Sequence, residues 1–369
     1  MKIAVIGGGS WGTALARLLA GKGHDLSLWV YEKEVVTSIR NQHENKAYLP
    51  GVRLPKTLFA SSNIEEVLSD AKWVLFAVPS HVAREVLAQM SPYLASEVPI
   101  ISATKGIERK SLMLMSEVIC ESLGRNETDQ IAVLSGPSFA QEVALEHPTA
   151  VSLAATDRRL AARIQTAFAT PFFKLFLSPD LIGVQLGGAL KNVIALAAGG
   201  SDGLGFGYNT KAVLMARGLS EMARLGIAMG ADINTFYGLS GMGDLFLTCS
   251  GALSRNRKVG HEIGSGKSLE VILKEMKMVA EGVYTTESAY ALSQKYQVEM
   301  PIVYEIHRVL FEGKSPRQAV MDLMEMARGG EIPLKISPEA QDKIGPSAQN
   351  YGAPHYGVPL EVKQPRKKR

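Results

Sequence analysis

The chain has 369 residues, enough for about two domains, and its 46% hydrophobic and 21% charged residues are those of an ordinary globular protein rather than a disordered one. Its net charge of +4 matches the closing Arg366-Lys367-Lys368-Arg369, so the rest is near neutral and gives no ground for nucleic-acid binding. Cys120 and Cys249 stand far from each other and from any histidine cluster, which excludes a disulfide framework or zinc site and points to a reduced compartment.

Strands are expected at 2–6, 26–30, 73–78, 100–104, 131–134, 150–154 and 174–177. Most are continuous apolar runs, the pattern of strands covered on both faces. Helices are expected between several of them, at 12–20, 81–93, 112–123 and 158–168. That alternation predicts right-handed βαβ units in a doubly wound, mostly parallel sheet. After about residue 180 only helical patterns remain, at 181–198, 210–229, 269–276, 286–296, 302–311 and 317–328. In 210–229 the long polar side chains Arg217, Glu221 and Arg224 share one face, and the other faces are expected to be buried. Residues 1–180 therefore read as a sheet domain and 181–328 as an all-helical domain. Residues 329–369 carry a proline every few positions and read as a disordered basic tail. The apolar run after Lys2 breaks at Gly7-Gly8-Gly9, unlike a signal peptide. The longest apolar runs fall short of the roughly 20 residues a membrane span needs, so a cytoplasmic protein without membrane insertion is expected.

The first motif is Gly7-x-Gly9-x-x-Gly12, placed between the first strand and first helix. In that context the first glycine allows a tight turn, the second lets backbone approach a pyrophosphate, and the third lets the helix pack close. Helix N–H groups then face the phosphates, with Ser10 and Trp11 inside the loop. The sheet domain is thus of the Rossmann type. The acidic residue that would receive the ribose hydroxyls falls at Glu32, which favours NAD over NADP; Lys33 beside it leaves NADP open.

Two lysines come next. Lys105 follows the fourth strand, at the carboxyl edge where open α/β sheets place ligands. Lys191 is the lone charge in 181–198, whose other polar side chains are Gln185 and Asn192. A lysine there must snorkel, pair with an acid, or lose part of its charge. If desolvated, it gives and takes protons near neutral pH. Further on, Gly241-Met242-Gly243-Asp244-Leu245 reads as a glycine-framed turn with one carboxylate. Ser254-Arg255-Asn256-Arg257 reads as a phosphate-binding cluster or a bland surface loop, and Ser138 after the fifth strand as an anion donor.

Six segments, in order along the chain, resemble the NAD(P)-dependent glycerol-3-phosphate dehydrogenases: Gly7 to Ala14, Ala103-Thr104-Lys105-Gly106, Ser135 to Ala140, Leu190-Lys191-Asn192, Gly241 to Leu245, and Ser254-Arg255-Asn256. The resemblance runs to about Arg328. It implies dihydroxyacetone phosphate as the ketone, sn-glycerol 3-phosphate as the alcohol, and a part in phospholipid synthesis. It implies Lys191 as catalytic proton donor and acceptor. Lys105, Gly136, Ser138, Lys191, Asp244, Ser254, Arg255 and Asn256 are its implied substrate contacts. Gly7, Gly9, Ser10, Trp11, Gly12, Tyr31, Lys105, Ala140, Arg255, Val279 and Glu281 are its implied contacts to NAD or NADP. Tyr31 stands where basic residues are frequent in the family, a departure that again favours NAD. Residues 41–51 are similar to the family's eukaryotic branch. A homodimer is the expected assembly. Related two-domain dehydrogenases acting on a 3-hydroxy acid or sugar-acid phosphate share this layout, as would a dinucleotide-binding regulator without activity.

Overall fold

The computed structural model describes residues 1–276 and 279–326; the tail expected at 329–369 lies outside them. The first half runs β1 (Lys2–Ile6), α1 (Ser10–Gly21), β2 (Asp25–Trp29), α2 (Lys33–Gln42), β3 (Glu44–Asn45), β4 (Leu49–Arg53), β5 (Phe59–Ser61), α3 (Ile64–Leu68), β6 (Trp73–Phe76), α4 (Ala83–Met90), β7 (Ile100–Ser102), α5 (Met115–Ser122), β8 (Ile131–Ser135), α6 (Ala140–Ala144), β9 (Thr149–Ala155), α7 (Arg158–Phe168) and β10 (Phe173–Ser178). Helices follow: α8 (Leu181–Gly203), α9 (Tyr208–Ala228), α10 (Ile233–Tyr237), α11 (Asp244–Ser250), α12 (Arg255–Gly264), α13 (Leu269–Glu275), α14 (Glu281–Lys295), α15 (Pro301–Phe311) and α16 (Pro316–Met326).

Eight strands form one sheet in the order β10-β9-β8-β7-β6-β1-β2-β5. All neighbours are parallel except β8 and β9. Successive side chains of β1 enter opposite cores. Ile3 and Val5 pack with Leu15, Leu19, Ile164 and Phe168 from α1 and α7. Ala4 and Ile6 pack with Val67, Leu87, Val118 and Ile119 from α3, α4 and α5. A strand buried on both faces must be apolar throughout, which is why β1 reads so plainly.

The second half is built around α8, where nearly every residue from Leu181 to Gly199 is buried. It contradicts the expectation that no apolar segment reaches membrane-spanning length. Its 23 residues do so, but 94% of the apolar window lies inside the fold, so α8 is a core helix. Gln185 ties it to the sheet half, accepting from Ser116 N and donating to Ser116 Oγ, both at 2.9 Å. Glycines let α12 lie directly on α8: a Cβ on Gly199 would strike the Arg257 carbonyl, and one on Gly260 the Leu196 carbonyl.

Some expected elements differ. The helix at 81–93 is α4 between two 3-10 turns, the second containing Pro92. The helix at 112–123 starts only at Met115, because Leu114 pairs as a bridge with Ile107 and Leu112 has φ 62°. The polar face of α9 is also corrected. Glu221 is only 2% exposed and accepts from Ile302 N and Val303 N at the start of α15, whereas Val213 is 48% exposed. Two N–H groups of α15 take the place of water around that carboxyl group.

Candidate active site

The glycine loop joins β1 to α1 at the carboxyl edge of the sheet. Gly7 has φ 119°, and a Cβ there would lie 2.6 Å from the Ala77 carbonyl oxygen. A Cβ on Gly12 would collide with the Gly7 carbonyl, so turn and helix touch through backbone. Gly9 has nothing within 4 Å of its Cβ direction. Two crowded glycines therefore frame an open one, the cradle a pyrophosphate requires. The first turn of α1, which starts at Ser10, holds no acidic residue to oppose an anion, and the Trp11 indole Nε1 is buried without a hydrogen-bond partner among the described residues. These residues fit a nicotinamide dinucleotide. Ala140 opens α6 and packs with Trp11 against Ala14 and Leu49.

At the tip of β2, Tyr31 is 77% exposed, its ring centroid 6.4 Å from that of Trp29. Glu32 begins α2 but makes no side-chain cap to it. Instead Glu32 Oε1 accepts from the Tyr48 hydroxyl at 2.6 Å. Burial, reinforced by Glu32, pushes the Tyr48 phenol up to about 12, so it remains a donor at any ordinary pH.

Across the edge, the sheet half and helical half meet in a buried charge cluster. A π-helical turn, Leu239–Gly243, delivers Asp244 to the first turn of α11, so the expected glycine-framed turn opens a helix. Asp244 is 1% exposed and bridges two lysines. Lys191 Nζ from α8 lies 2.8 Å from its Oδ1, and Lys105 Nζ donates to its Oδ2 at 2.7 Å. Lys191 also donates to Thr248 Oγ1 at 2.7 Å. Lys105 also donates to the Gly136 carbonyl at 2.9 Å, as does Ser138 Oγ at the same distance. Gly136 itself has φ 151°, and a side chain there would press on Val151.

Lys191 does not snorkel; it is 6% exposed. Burial lowers its pKa to about 8, against the pull of Asp244 and with further lowering from Lys105. It is therefore an amine able to exchange protons near neutral pH.

Ser254 to Arg257 is not the surface loop that was one of its two readings. Ser254 caps α12, its Oγ accepting from Arg257 N at 3.2 Å. Asn256 donates to Asn192 Oδ1 at 2.8 Å and accepts from Gly282 N at 2.9 Å, linking α12 to α8 beside Lys191 and to α14. Arg255 is exposed and makes no hydrogen bond or ion pair among the described residues; α12 has no acid in its first turn. A free guanidinium at a helix N-terminus suits a phosphate. Glu281 accepts from Ser80 N at 2.8 Å and from Ser80 Oγ, and a Cβ on Gly106 would lie 2.9 Å from its Oε2. It therefore lies against the Lys105 loop, and burial pushes its carboxyl up. Val279 is partly buried just before α14.

Thr248, Ser80 and Tyr48 were not singled out from the sequence. Thr248 had a readable signal: it stands four residues after Asp244, on the same face of a helix. Ser80 and Tyr48 reach their partners only through tertiary folding.

A proton-exchanging amine at the same sheet edge as a dinucleotide cradle is what a nicotinamide-dependent dehydrogenase requires, and that is the class this fold and site define. Comparison with known proteins narrows it. Residues 2–161 match the family model of the NAD-dependent glycerol-3-phosphate dehydrogenase N-terminus, and residues 180–321 that of its C-terminus. The chain belongs to the NAD-dependent glycerol-3-phosphate dehydrogenase family. A glycerol-3-phosphate dehydrogenase [NAD(P)+] of Citrifermentans bemidjiense is 54% identical over 323 residues, 88% of this chain and 96% of that one. The solved glycerol-3-phosphate dehydrogenase of Coxiella burnetii is 40% identical with TM-score 0.84, covering 88% of this chain and 98% of its own. That of Saccharomyces cerevisiae is 29% identical with TM-score 0.74, covering 88% and 99%. Of these two, the structure from Coxiella burnetii is the nearer.

Proposed function

We propose that this chain is an NAD(P)-dependent glycerol-3-phosphate dehydrogenase that interconverts dihydroxyacetone phosphate and sn-glycerol 3-phosphate, with Lys191 as the proton donor and acceptor. The observation that carries the assignment of Lys191 is its buried ammonium, held by Asp244 and Thr248 and lowered to about 8. The dinucleotide supplies the hydride when bound. Gly7, Gly9, Ser10, Trp11 and Gly12 hold its pyrophosphate through backbone and loop, with Tyr31, Lys105, Ala140, Arg255, Val279 and Glu281 as further contacts.

Arg255, the α12 N-terminus capped by Ser254, and Asn256 hold the substrate phosphate. Ser138 and the Gly136 segment line the opposite wall. Anchoring the phosphate fixes the carbonyl against the proton donor, and such positioning is worth up to about 7–11 kcal/mol. Negative charge developing on the carbonyl oxygen is met by the Lys191 ammonium, which donates its proton; in reverse the neutral amine accepts the hydroxyl proton. Asp244 orients both lysines and balances one of their charges.

In the same reading residues 1–180 serve the dinucleotide and 181–328 the substrate. The enzyme is a cytoplasmic homodimer without membrane insertion, and its product feeds phospholipid synthesis. The exposed apolar side chains of α9, Tyr208 and Val213, support a dimer. Following NADH absorbance with dihydroxyacetone phosphate and with a panel of oxo-acids tests the substrate. Oxidation with the ketone phosphate alone is expected; turnover of an oxo-acid instead would overturn the reading.

A further inference from the structure

The acid at the end of β2 is tied, through a hairpin, to the same loop that cradles the pyrophosphate. A Cβ on Gly8 would lie 2.5 Å from the Val30 side chain, so the tip of β2 abuts the glycine loop directly. From the other side comes the β3–β4 hairpin. Asn45, fully buried, donates through Nδ2 to the Gly8 carbonyl at 2.8 Å and to Thr13 Oγ1 at 2.9 Å. Its Oδ1 accepts from Tyr48 N at 3.1 Å, and the Tyr48 hydroxyl then donates to Glu32 Oε1 at 2.6 Å. The contacts Gly8–Asn45–Tyr48–Glu32 thus tie the acid beyond β2 to the glycine loop.

Glu32 is not used by its own helix, since it makes no cap hydrogen bond. With Oε1 held by Tyr48, Oε2 has no hydrogen-bond partner among the described residues. A fixed carboxylate with one oxygen to spare accepts from a ribose 2′-hydroxyl and repels a 2′-phosphate. Residue 31 is tyrosine, Arg40 donates to the Ala60 carbonyl at 2.6 Å and lies over the Phe59 ring, and Lys33 in the first turn of α2 and Lys46 in the hairpin are exposed.

We infer that Tyr48 is a positioning residue that aims Glu32 at the ribose 2′-hydroxyl, so that the Tyr48–Glu32 pair selects NAD(H) over NADP(H). This rests on the dehydrogenase reading above and sharpens its cofactor. Removing the phenol hydroxyl loosens the carboxylate without removing its charge. NADH binding should then weaken while rejection of the 2′-phosphate largely stays.

The test is calorimetric titration of the full chain with NADH and with NADPH, alongside the KM for each. The wild-type protein should bind NADH at least tenfold more tightly. Tyr48→Phe should weaken NADH by about three- to tenfold, the loss of one hydrogen bond to a charged group, and leave NADPH unchanged. Glu32→Gln should bring the two nucleotides to near parity. A wild-type protein that binds NADPH as well as NADH overturns the inference, and so does a Tyr48→Phe variant that loses both nucleotides equally, which marks the tyrosine as merely structural. Failure of the wild-type protein to bind either nucleotide would instead bring down the dehydrogenase reading, and this inference with it.

Discussion

The two halves of the molecule build their parts of the site from different materials. The sheet half works with backbone: glycines that admit no Cβ, helix N–H groups, and the Gly136 carbonyl that receives Lys105. The helical half works with buried side chains: Lys191, Asp244, Asn192 and Asn256. A backbone site is damaged by adding atoms and a side-chain site by removing charge, so the two halves should fail differently.

The largest effect should come from the helical half. Lys191→Ala is expected to lower kcat by roughly a hundredfold or more, as loss of general acid–base catalysis does, with NADH binding kept. Steady-state kinetics with a parallel binding titration separates the two, and activity within a few-fold of wild type would show that another group moves the proton. Gly12→Ala adds a methyl group where the Gly7 carbonyl already sits. It should weaken NADH binding tenfold or more by calorimetry, on the order of 1.4 kcal/mol, while the Lys191 cluster stays intact. Unchanged affinity would mean that the cradle tolerates side chains and that the contrast between the halves is overstated.

A smaller effect follows from pH. Lys191 must be an ammonium to reduce the ketone, so that rate should fall as pH rises through about 8. It must be neutral to oxidise the alcohol, so the reverse rate should rise through the same value. Opposite slopes are the signature, and two profiles of like sign would remove Lys191 from the proton path. The least effect on catalysis belongs to Glu221, a buried carboxylate outside the site. Burial raises it to about 7, above the ordinary 4.5, so the folded chain holds that proton more tightly than the unfolded one. The stability this contributes is complete below about 4.5 and is lost as pH rises through about 7, on the order of 3 kcal/mol across the window. Thermal unfolding of Glu221→Gln between pH 5 and 8 should show a flatter dependence than wild type. A parallel shift of the whole curve would show that the side chain does not titrate there.

Legibility in the sequence divides along the same line. The bounds expected for β1 and α7 match the structure, because a strand apolar on both faces and a helix with a regular apolar stripe announce themselves locally. Lys191 was readable as a lone charge in an apolar helix. Helix α12 was not readable. Arg255-Asn256-Arg257-Lys258 has no apolar period, and the helix is supported by Gly260 lying on the backbone of α8. The brief hairpin strands β3 and β4 carry too few residues for a period, so the contact of Tyr48 with Glu32 was hidden although Glu32 itself was readable. Glu221 looked like a solvent-facing charge because its sequence neighbours do not include the α15 N–H groups that hold it.

The glycine contact between α8 and α12 has one more consequence. Because main chain rests on main chain at Gly199 and Gly260, any side chain at either position would push α12 off α8 and carry the roots of Arg255 and Asn256 away from Lys191 and Asn192.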